Sequence, residues 1–196
     1  TGTAVDSGGG HVAAVEVSGS ASRSATVCTV EVTALPVSKA RLLAFGNYRG
    51  PPASQSVEAQ RFFDQGLVFG WGFNFAEAVR SFRAAAQLDP KCSLCRWGIA
   101  WALGPSINHD MQAADMPVAL DAIVQARVAA TADSRERALI DALATRYSAR
   151  IGVDTDRLAL SYAAAMAALA DQHADDADIA VLAAEAMMNA HAYDYW

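Results

Sequence analysis

The sequence predicts an all-α protein built from helical hairpins. Three observations carry that expectation. Apolar residues recur at helical spacing through most of the chain after Val57. Small residues recur in register, with Ala100 lying 34 positions after Gly66. Alanine dominates the second half, which favours closely packed helices. On this reading residues 1–35 are a leader, 36–56 an irregular connector and 57–196 a helical repeat domain whose C-terminal end is incomplete.

Residues 1–10 are rich in Gly and Ser and have no core-forming pattern. HVAAVEV (11–17) and ATVCTVEVT (25–33) follow, and in the second run Cys28, Val30 and Val32 alternate with Thr29, Glu31 and Thr33. That is strand periodicity, so the leader is either a short β-hairpin or a disordered, low-complexity segment. Ser38 to Phe45 fits a short helix. Gly46, Gly50, Pro51 and Pro52 then impose an extended connector.

Ser56 is placed to cap a helix that carries Phe62, Gly66 and Phe69. A turn at Gly72–Asn74 leads to a second helix with Ala78, Phe82 and Ala85, stopped at Pro90; Asn74 and Glu77 are spaced as a near capping box. A third helix runs from Lys91 to Leu103 and ends at Gly104–Pro105. The loop SINHDMQAAD follows, and Pro117 fits the entry of a helix ending near Ala130. Asp133 with Glu136 would cap the next, which would run to Arg150 before Gly152. Asp154 or Thr155 opens a helix to Leu169, DQHADDAD is a polar turn, and the last helix spans Ile179 to Ala190.

The order aromatic, small, aromatic, then Ala, Phe, Ala, Pro over about 34 residues resembles the tetratricopeptide repeat. Gln65 departs from that pattern, which has Leu there. A wider resemblance covers roughly residues 40–196. The CSLCRWG helix, the GPSIN loop and the AEAMMNAHAYDYW end are similar to the N-terminal part of a family of long bacterial tetratricopeptide-repeat proteins. The resemblance implies an α-solenoid, with further repeats beyond this point, and says little about chemistry. The apolar residues Met187, Met188, Tyr193, Tyr195 and Trp196 near the end lead to the expectation that more chain, or another subunit, covers that face.

Several function classes are disfavoured. Lys and Arg total 15 against 21 Asp and Glu, a net charge of −6, and they are scattered, which argues against a nucleic-acid partner. No run of about 18 apolar residues is present, so no membrane span is expected. There is no nucleophile elbow and no phosphate loop, so nothing marks an enzyme.

The sharpest chemical feature is Cys92-Ser-Leu-Cys95, just after Asp89–Pro90 at a helix start. Three readings stand side by side. The thiols pack as small core side chains, they bridge, or they form half of a Zn or Cu site completed by His109 and His191. Arg96 follows Cys95, so the haem-attachment pattern fails. A bridge would point to a periplasmic or secreted protein. Among the aromatic residues, Trp71 and Phe73 sit at a turn and are the candidates for contact with a partner.

The leading expectation is a non-catalytic helical-repeat scaffold without a cofactor, binding protein or peptide on a concave surface. One alternative is a metal- or thiol-dependent protein centred on Cys92 and Cys95. Another is a structural subunit that assembles with copies of itself through leader strands and an exposed last helix.

Overall fold

The computed structural model describes residues 40–44, 46–150 and 152–191. Among the described residues there are seven helices and no strand: α1 Val57–Trp71, α2 Phe75–Leu88, α3 Ser93–Leu103, α4 Asp115–Ala129, α5 Arg135–Ala144, α6 Thr155–Gln172 and α7 Ala177–Ala190. The leader with its expected hairpin, Cys28 and residues 192–196 lie outside the described residues.

Local signals set most boundaries. The Ser56 hydroxyl accepts from the Ala59 amide, and Asn74 accepts from that of Glu77 at 3.4 Å. Glu77 does not reach back to complete a capping box; it pairs with Arg80 at 2.7 Å. Asp154 and Asp176 cap α6 and α7 through their carboxylates. Because Asp176 takes that role, α7 starts two residues before Ile179, and α6 continues to Gln172.

Three elements differ from expectation. Residues 40–44 are irregular rather than helical. Their backbone is held instead by α1: the Leu43 amide donates to Gln65 Oε1 at 2.7 Å, and Gln65 Nε2 donates to the Arg41 carbonyl at 2.9 Å and to Ser81 Oγ at 3.0 Å. α3 begins at Ser93 because Cys92 occupies the cap position. α5 is capped by Ser134, not Asp133, and it ends at Ala144 rather than Arg150. Tertiary bonds stop it. The Tyr147 hydroxyl donates to the Ala100 carbonyl at 2.6 Å, and Arg146 Nη2 donates to the Pro105 carbonyl.

Each helix packs on its chain neighbours, and α1 also touches α3, as α3 touches α5. The core runs through these contacts. Phe82 of α2, fully buried, lies between two glycines. A Cβ on Gly66 would stand 2.6 Å from its ring, and one on Gly98 would stand 2.5 Å away. The expected close contact at Gly66 is therefore present. In α3 the residue that meets the same ring is Gly98. Ala78 and Ala100 are fully buried as well.

Candidate functional site

Trp71 ends α1, and its ring lies 5.0 Å from that of Trp101 in α3. Trp101 stacks on Trp97 one helical turn earlier, with centroids 5.8 Å apart and planes within 6°. Gly70 admits the Trp101 ring against the α1 backbone, where any Cβ would overlap it. These three indoles form a continuous aromatic wall.

Two cavities flank the wall, and Trp71 and Val181 line both. One, of ≈ 210 Å³, lies among Phe63, Leu67 and Trp97 on one side and Leu139 and Leu182 on the other. The second, of ≈ 240 Å³, is bounded by Phe73, Phe75, Trp101, Ile107 and Met188. Residues of α1, α3 and α7 therefore share one apolar surface.

Phe73 sits at the rim of the second cavity, 54 % exposed, with φ +58°. A bulky aromatic residue in the left-handed region is an outlier that costs about 1–3 kcal/mol. The turn holds it there through bonds from the Phe73 amide to the Gly70 carbonyl and from the Asn74 amide to that of Phe69.

A polar cluster adjoins the second cavity. Among the described residues, Glu185 is the only ionisable one that lines this cavity. Asn189, one turn further along α7, donates to Glu185 Oε1 and accepts from the Ile107 amide at 2.9 Å. The Arg146 guanidinium lies 4.9 Å over the Tyr162 ring. Burial pushes the Glu185 carboxyl above its ordinary range, while Arg146, Asn189 and Trp101 pull it back. Burial also raises the Tyr147 phenol to about 12, and the Tyr162 phenol further still. Glu185 Oε2, Arg146 Nε and the Tyr162 hydroxyl are buried with no hydrogen-bond partner among the described residues.

Cys92 and Cys95 form a disulfide, with Cα atoms 5.3 Å apart. Both are buried, and Cys92 Sγ accepts from the Cys95 amide, so the bridge also caps α3. The cap geometry of Cys92, with ψ 99°, explains how a first-turn pair can bridge: only Cys95 is inside the helix.

His109 lies in a loop closed by the reciprocal Ser106–His109 backbone pair, and its ring stacks on Phe75 at 5.5 Å. His191 is exposed at the C-terminal end of α7. Among the described residues, no three His, Cys, Asp or Glu side chains converge so as to hold a metal ion. The two histidines thus do not gather with the cysteine pair into such a cluster.

The sequence pointed to Trp71 and Phe73, and both line the second cavity. It missed Arg146, Tyr147, Tyr162 and Asn189. One signal was available: Glu185 and Asn189 are a polar pair at i, i+4 inside an otherwise apolar helix. Comparison of the chain with family models, curated proteins and solved structures gives no match.

Proposed function

We propose that this chain is a non-catalytic helical-repeat scaffold of tetratricopeptide type, and that its aromatic groove binds an extended segment of a protein or peptide. The carrying observation is the pair of adjoining apolar cavities, joined at Trp71 and Val181. Successive side chains of an extended peptide could occupy the two cavities, with indole faces giving large contact area at low entropic loss. The contacts from α1 to α3 and from α3 to α5 support a stacked, repeat-like arrangement. The buried Cys92–Cys95 bridge supports an oxidising location, periplasmic or secreted, in which it acts as a structural staple.

The test is selection of peptides from a displayed random library on the intact chain, with Val181→Arg as the control. Val181 is 53 % exposed, so a charge there leaves the fold in place while blocking both cavities. Enriched peptides should bind the native chain and lose about tenfold or more in affinity to the variant, as truncation of an interface centre does. No enrichment, or equal binding to the variant, overturns the reading.

A further inference from the structure

We propose that the cavity between the 72–74 turn, the 104–109 loop and α7 receives a lysine side chain of the bound segment, with Glu185 as its counter-charge. This deepens the groove reading above and rests on it.

The walls supply one half of the argument. Trp71, Phe73, Phe75 and Trp101 present four aromatic rings to the cavity. An ammonium group is attracted to such rings by their quadrupole, and the four-carbon stem of lysine fits an apolar lining. The volume of ≈ 240 Å³ accommodates that side chain.

Glu185 supplies the other half. Among the described residues it is the single ionisable group on the lining. Its Oε1 is engaged by Asn189 and the Trp101 side chain is a second neighbouring donor that favours the carboxylate, while Oε2 is buried with no hydrogen bond of good geometry among the described residues. A buried carboxylate oxygen without a donor is costly. An ammonium has three donors and no acceptor, so it answers this deficit directly. Arg146 does not answer it. It acts on Glu185 through space, is absent from the lining and commits Nη2 to the Pro105 carbonyl. A cation arriving at Oε2 would also offset the burial that opposes ionisation of Glu185.

Two further facts agree. The net charge of −6 draws cationic segments over distance. Phe73 is held at positive φ on the rim, with its ring 6.2 Å from that of Phe75.

The experiment uses the full chain and three probes of matched length: hexylammonium, hexan-1-ol and hexanoate. Binding is followed by fluorescence of the wall tryptophans. Hexylammonium should bind about tenfold more tightly than hexan-1-ol, and hexanoate should be the weakest, as a cation–π contact plus a desolvated ion pair requires. E185Q should abolish the preference for the amine. F73A, at an exposed rim position, should keep the fold and weaken hexylammonium about threefold or more. Equal binding of amine and alcohol overturns the proposal, as does an amine preference retained in E185Q. If E185Q does not fold, F73A decides, and no change in that variant overturns the proposal. Peptides that bind without needing a lysine would refute this inference and leave the groove reading standing. Amine selectivity without any selected peptide would refute the groove reading alone.

Discussion

Phe82 occupies the space in which a side chain on Gly98 would have to stand: a Cβ there would lie 2.5 Å from Phe82 Cδ1. The contact is between a fully buried ring and helix backbone, so neither side can yield cheaply. Gly98→Ala is therefore expected to destabilise by about 1–3 kcal/mol, although alanine is the better helix former by about 1 kcal/mol. Urea midpoints measure it. Adding Phe82→Leu should recover part of the loss, and a double-mutant cycle with no coupling would show that the two residues do not share the site.

The Cys92–Cys95 bridge closes a loop of only four residues, counting both ends. Loop-closure entropy for so short a ring gives about 2 kcal/mol. Cys92→Ser/Cys95→Ala retains an acceptor at the cap and should lose about that much. Cys92→Ala/Cys95→Ala should lose about 1 kcal/mol more, because the cap goes too. Alkylation in denaturant without reductant should modify one of the three cysteines, Cys28, and mass spectrometry counts the adducts.

Gln65 stands where the repeat pattern has leucine, and three hydrogen bonds explain why: those with the Leu43 amide, the Arg41 carbonyl and Ser81 Oγ. Gln65→Leu would improve the match to the pattern and worsen the protein. A loss of about 1–3 kcal/mol is expected from the groups left unpaired, together with faster proteolysis near residues 40–44.

Arg146, which is buried, and Glu185, which is half-buried, are opposite charges that sense one another without a hydrogen bond to Glu185 Oε2. Arg146→Met should destabilise by about 3–5 kcal/mol, since Glu185 loses its compensating cation and Pro105 its donor. Arg146→Met/Glu185→Gln should recover part of that loss, and thermal unfolding of both variants tests it.

Arg135 donates to Asp176 in a two-pronged ion pair at 2.5 and 2.9 Å. The hydrogen bond from Arg135 holds the Asp176 carboxyl at about 2, below its ordinary 3.8. Its folded-state pKa is depressed, so the stability it lends is complete above about pH 4 and is lost as pH falls through about 2. Arg135→Gln should raise the Asp176 pKa towards its ordinary value and flatten the acid limb of the stability profile. A carboxyl titration followed by NMR provides the check.

Local chemistry was readable from the sequence wherever a side chain acts on its own backbone. Ser56, Asn74 and Asp154 all cap as their positions imply. So was the role of Gly66, because a periodic small residue in an aromatic helix has few other uses. The end of α5 was not readable: Ala144 is followed by residues that favour a helix, and only bonds to Ala100 and Pro105, more than 40 residues away, divert them. The polar part of the site failed for the same reason. Arg146, Tyr162 and Glu185 are separated in sequence, and no spacing rule joins them. Trp71 and Phe73 were singled out because a turn announces itself, and both line the second cavity.

Asn189 uses both ends of its amide, one on Glu185 and the other on Ile107. The floor of the second cavity and the loop beside it are thus fastened to one side chain, and neither can swing without releasing the other. A guest would enter a vessel already set to shape, past Phe73, and little of its binding energy would be consumed in ordering the host.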